Sequence, residues 1–182
     1  MRTEALLLVD VQVGFSDTDH WGPRNNPGAE ANIRALLEDW RHRDAPVVLV
    51  QHDSVEPNSP LRPGQPGNAL QPWVEGPAAL HVRKTVNSAF IGTPDLDAWL
   101  RAQPIDAVAI CGITTNHCCE TTARMAANLG YRVRFVLDAT YTHDRIGPDG
   151  DVHRAEAVAR MTAANLHGEF AHVVRTADVL GA

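Results

Sequence analysis

Short, unbroken apolar runs alternate with helix-periodic segments along this chain, and that alternation leaves few folds open. Ala5-Leu6-Leu7-Leu8-Val9 is the first run, closed by Asp10. Pro46-Val47-Val48-Leu49-Val50-Gln51, Ala107-Val108-Ala109-Ile110-Cys111 and Val133-Arg134-Phe135-Val136-Leu137 follow. Runs this short and this rich in branched residues suit strands buried on both faces, as in a parallel sheet. Weaker strand signals lie at 79–82 and 172–175. Between the runs, the spacing of apolar residues predicts helices over roughly 29–43, 93–102, 116–129 and 152–167, with Gly130 as a C-cap of the third. Right-handed crossovers between parallel strands then give an α/β fold: a three-layer α/β/α sandwich around a mostly parallel, Rossmann-like sheet of about six strands.

The chain has 182 residues, enough to bury a core and consistent with one domain over 1–182. One stretch breaks the alternation. Residues 53–76 hold Pro57, Pro60, Pro63, Pro66 and Pro72, with Gly64, Gly67 and Gly76. They read as a long loop, pinned down by Trp73, and a loop of that length is usually functional. A net charge of −6 with interspersed signs and no basic stripe points away from nucleic acid and from an acidic membrane surface. No apolar stretch approaches a membrane span, and the one at the N-terminus is too short for a secretion signal. Three cysteines, two of them adjacent, make no disulfide framework, so the expected setting is cytoplasmic with reduced thiols.

In an open parallel sheet, ligands bind beyond the carboxyl ends of the strands. Asp10 ends the first strand, Lys84 follows the weak third one, and Cys118 follows the run ending at Cys111. The topology therefore gathers a carboxylate, an ammonium and a thiol at one edge. Cys118 stands near the start of a helix, where unpaired N–H groups and the helix dipole favour a thiolate. Cys119 shares a helical face with Thr122, Ala123 and Ala126, which is the packing face. Cys111 reads as core, and Asn116 as a helix cap.

Three blocks carry a resemblance. They are Leu8-Val9-Asp10-Val11-Gln12-Val13-Gly14-Phe15, Arg83-Lys84-Thr85-Val86-Asn87-Ser88-Ala89-Phe90, and Gly112-Ile113-Thr114-Thr115-Asn116-His117-Cys118-Cys119-Glu120-Thr121-Thr122-Ala123-Arg124. In order and spacing they resemble the isochorismatase-like cysteine hydrolases, which include nicotinamidases and N-carbamoylsarcosine amidases, over nearly the whole chain. The resemblance implies Asp10, Lys84 and Cys118 as catalytic residues. It selects Cys118 as nucleophile because it stands three residues after the second Thr. It also implies an oxyanion hole from the backbone N–H groups of Thr114 and Cys118, beside a cis peptide at Ile113–Thr114.

The implied activity is hydrolysis of a small-molecule carboxamide, carbamoyl compound or lactam through a thioester. No cofactor is implied. Some relatives bind zinc through Asp-x-His after the second strand, but Gln51-His52-Asp53-Ser54 lacks that spacing, so no metal is expected. His52, Asp53, Asn87 and His117 are candidates to line the pocket, and Phe15 and Trp21 to form its apolar wall. Members of the family are commonly dimers or tetramers, and a homo-oligomer is the expected assembly. Two other readings compete. An isochorismatase-type vinyl-ether hydrolase would keep Asp10 and Lys84 but has no use for Cys118. A non-catalytic, thiol-bearing ligand-binding protein would leave Asp10 and Lys84 without a purpose.

Overall fold

The computed structural model describes residues 3–181. Strands Thr3–Val9 (β1), Val47–His52 (β2), Leu80–Lys84 (β3), Ile105–Ile113 (β4) and Arg132–Tyr141 (β5) join a last short strand to form the central sheet. A two-strand hairpin, Arg145–Ile146 (β6) with Val152–His153 (β7), stands apart, and His172–Val174 (β8) completes the sheet. The order is β3-β2-β1-β4-β5-β8, and every pair is parallel. The strand order reverses between β1 and β4. In a doubly wound sheet, that reversal opens a crevice between the strands' carboxyl ends.

The helices are Thr18–Trp21 (α1), Ala29–His42 (α2), Leu96–Ala102 (α3), Glu120–Asn128 (α4), Ala155–Leu166 (α5) and Thr176–Leu180 (α6). Side chains of a strand alternate between faces, and β1 fills both layers accordingly. Ala5, Leu7 and Val9 pack with Leu96, Leu100, Ala123, Ala126 and Leu166 from α3, α4 and α5. Leu6 and Leu8 pack with Ile33, Leu36, Leu37 and Trp40 of α2 and with α6. The architecture is the expected three-layer sandwich, with a six-stranded, wholly parallel sheet.

Three helices are shorter than their apolar periodicity predicts. The expected helix at 93–102 starts only at Leu96, where the Asp95 side chain caps it by accepting from the Ala98 N–H. At 152–167, Val152 and His153 pair in the hairpin instead, and the helix begins at Ala155. At 116–129, the first turn is a π turn over Thr115–Cys119, and regular α-helix begins at Glu120.

The proline-rich segment is tied to the sheet. Asn68 donates to the His52 and Leu61 carbonyls and to Asp53 Oδ1. Gly14 and Gly67 abut so closely that a Cβ on Gly67 would lie 2.8 Å from the Gly14 Cα. Among the described residues, no helix is long and apolar enough to cross a membrane.

Candidate active site

The carboxyl ends of β1, β3 and β4 bring Asp10, Lys84 and Cys118 into contact. Asp10 is fully buried, Lys84 is 2% exposed and Cys118 is 7% exposed. The Lys84 ammonium donates to Asp10 Oδ2 at 2.7 Å and to Cys118 Sγ at 3.4 Å, and lies 3.2 Å from His52 Nδ1. Cys118 also lies 3.6 Å from the Asn87 side-chain oxygen. The other Asp10 oxygen, Oδ1, is buried without a hydrogen-bond partner. A bare carboxylate oxygen in so dry a place is costly to keep unless a proton or a ligand is to meet it.

Backbone geometry sets these positions. Asp10 takes a left-handed φ of 52°, which is uncommon for a non-glycine residue and turns its side chain out of the strand line. One strand over, Gly112 has φ 130°, and a Cβ there would lie 2.0 Å from the Val9 carbonyl oxygen. Only glycine lets β4 run that close to β1 at its end. The next peptide, Ile113–Thr114, is cis. The chain then turns so that the Thr114 carbonyl accepts from the His117 and Cys119 N–H groups at 3.3 and 3.2 Å.

Electrostatics correct one expectation. Cys118 sits in a π turn, and its thiol is pushed up, not down: burial comes first, the Asp10 charge adds to it, and Lys84 only partly opposes them. The resting sulfur is therefore a thiol. Burial works against the Lys84 charge, yet the Asp10 and Cys118 groups outweigh it and hold the ammonium above its ordinary range. His52 is pushed down, by burial and then by Lys84, and is a neutral imidazole near neutral pH. Cys119 and Cys111 are fully buried, and burial raises both thiols.

The remaining expected residues divide. His52 reaches Lys84, and the exposed Asn87 reaches Cys118. Phe15 is buried against Trp21, with ring centroids 4.9 Å apart, and the Trp21 indole donates to the Gly14 carbonyl at 2.8 Å. The His117 side chain is exposed and lies against Arg145, 3.1 Å from its guanidinium. Asp53 pairs with Arg83, and no contact joins it to Cys118. Asn116 does not cap its helix; Thr114 holds that place, and the Asn116 side chain accepts from the Thr142 hydroxyl.

Three polar residues escape a reading of motifs alone. Gln12 is fully buried and clamps His52, accepting from its N–H and donating to its carbonyl. Asn68 ties the proline-rich loop to the same strand end. His143 is buried, stacks on Trp21, and has Nδ1 3.2 Å from the Gly22 carbonyl, which leaves Nε2 unpartnered. Gln12 lies two residues beyond Asp10 and could have been flagged as a polar residue inside an apolar block. Nothing local marks the other two.

Asp10, His52 and Cys118 each offer one metal-type donor atom, and these atoms lie within 4.8 Å of one another. The Lys84 ammonium already contacts all three residues and supplies a positive charge in their midst. A separate cavity of about 650 Å³, lined by Arg41, Pro46, Val47, Trp99 and Ile105, lies by the amino ends of β2 and β4, at the opposite edge of the sheet.

Fold and site together define a three-layer α/β protein with a buried Asp–Lys–Cys cluster at the carboxyl edge of its sheet. Residues 4–178 match the isochorismatase domain, and the chain belongs to the isochorismatase family of hydrolases. It is 38% identical over 178 residues to the uncharacterized isochorismatase family protein YrdC of Bacillus subtilis (strain 168), covering 97% of this chain and 94% of that one. Nicotinamidase 3 of Arabidopsis thaliana is 30% identical over 188 residues, covering 95% and 85%. The structure of an isochorismatase-family protein from Chromobacterium violaceum ATCC 12472 superposes with a TM-score of 0.93 at 43% identity, covering 100% of this chain and 93% of that one.

Proposed function

We propose that this chain is a cysteine-dependent amidohydrolase that cleaves the C–N bond of a small-molecule amide through a thioester on Cys118. The observation that carries the reading is the Lys84 ammonium held between Asp10 and Cys118, with Asp10 Oδ1 left bare. Asp10 takes the thiol proton as Sγ bonds to the carbonyl carbon, so the charge forms only as it is used. The ammonium stabilises that charge at short range in a site of low dielectric. The N–H groups of Thr114 and Cys118 are the proposed donors to the oxyanion, and losing one such donor costs roughly 3 kcal/mol.

As the C–N bond breaks, Asp10 returns its proton to the departing nitrogen. A water then gives a proton to Asp10 as its oxygen bonds to the thioester carbon, and as the C–S bond breaks Asp10 passes that proton to sulfur, releasing the acid and restoring the thiol. Phe15, Trp21, His52, Asn87 and His117 are the proposed walls of the substrate site. The nicotinamidase relative is named for an amide substrate, which supports the bond class without naming this chain's substrate. The proposed setting is cytoplasmic, as a homodimer or homotetramer; a monomer by light scattering at micromolar concentration would overturn the assembly.

The test is ammonia release across a panel of small amides, with intact-mass detection of an acyl adduct. Cys118→Ala loses at least about a thousandfold in turnover, as expected of a nucleophile. Asp10→Asn traps or abolishes the adduct. Undiminished turnover by Cys118→Ala would sink the covalent mechanism.

A further inference from the structure

The Lys84 ammonium has three hydrogens, and three acceptors surround it: Asp10 Oδ2, Cys118 Sγ and His52 Nδ1. An ammonium only donates, so His52 Nδ1 must present a lone pair. The neutral ring then carries its proton on Nε2, and burial and the ammonium beside it keep the ring uncharged. The sheet enforces the pairing. His52 and Lys84 are register partners on β2 and β3, so their side chains rise from the same face of the sheet. The His52 backbone is itself pinned, its N–H by the Gln12 side chain and its carbonyl by Gln12 and Asn68.

We propose that His52 is a positioning residue: its neutral imidazole takes the third Lys84 hydrogen and so fixes the ammonium between Asp10 and Cys118. The proposal deepens the amidohydrolase reading, because it assigns how the lysine of that site is aimed. With the His52 acceptor in place, the two remaining N–H bonds point at Oδ2 and Sγ. Without it, the strong bond to Asp10 persists and the weaker one to sulfur loses its direction. The charged and titratable groups facing the His52 ring are Lys84 from β3, Asp10 from the end of β1, and Asp53 from the segment after β2. Asp53 is paired with Arg83, and Lys84 is the charge that His52 feels most.

The test reads the thiol directly, by the pH dependence of Cys118 alkylation with iodoacetamide in the full chain. It needs no substrate, so it succeeds or fails independently of the amidohydrolase reading. His52→Leu removes the acceptor at similar size. Its alkylation at pH 8 slows about tenfold, and its profile moves to higher pH by about one unit, since one unit of thiol pKa is tenfold in thiolate. His52→Asn places an oxygen where Nδ1 stood, whereas His52→Gln places one where Nε2 stood. Asn therefore recovers most of the loss and Gln does not. Circular dichroism melts establish that each variant is folded, and the Asn–Gln comparison decides the matter if the Leu variant does not fold. Equal alkylation profiles for Asn and Gln, or a folded Leu variant with the unaltered profile, would overturn the proposal.

Discussion

Cys118 is a buried thiol whose charge is unwelcome until a proton acceptor and an ammonium act on it together. Burial and the Asp10 charge push it up, and the Lys84 ammonium 3.4 Å away pulls it down. Alkylation of Cys118 is therefore expected to keep accelerating above pH 9, beyond the ordinary thiol value of 9.0. A plateau below pH 8 would show that the lysine dominates. Its neighbour Cys119 is fully buried in the layer with Ala123 and Ala126. Cys119→Ala is expected to cost about 1 kcal/mol of stability in urea titration while keeping turnover within a few-fold. Loss of turnover with the fold intact would mean that the wrong thiol has been assigned.

The elements decide how these side chains meet. The end of β4 passes so near β1 that residue 112 can only be glycine, since a Cβ would lie 2.0 Å from the Val9 carbonyl oxygen. Gly112→Ala is expected to cost more than about 3 kcal/mol, read from chemical denaturation, and to lower turnover even where the protein still folds. An unchanged denaturation midpoint would refute the close approach. The following π turn, not a regular helix start, sets the direction of Cys118. Its apolar periodicity continues smoothly into α4, so the local sequence carries no sign of the extra residue in that turn. The proline-rich loop was legible as irregular, but its attachment through Asn68 was not, because the partners of Asn68 lie up to 56 residues away.

At the scale of the whole molecule, the central strand β1 holds both layers together, filling one with Ala5, Leu7 and Val9 and the other with Leu6 and Leu8. Leu7→Ala is expected to destabilise by about 2–5 kcal/mol in urea titration, with the cavity at the junction of sheet and helices. A loss under 1 kcal/mol would mean that the layer collapses around the gap.

The sequence by itself determined the layered α/β class, the parallel sheet and the convergence of Asp10, Lys84 and Cys118 on one edge. It could do so because strand burial and helix amphipathicity are written in local residue spacing, and parallel strands put their carboxyl ends on one side. Tertiary structure alone decided the strand order, the clamp of Gln12 and Asn68 on His52, and the protonation state of the thiol. Those depend on distances and desolvation between residues far apart in the chain, such as Asp10 and Lys84, 74 positions apart. No local pattern encodes how much water the folded chain leaves around a sulfur atom.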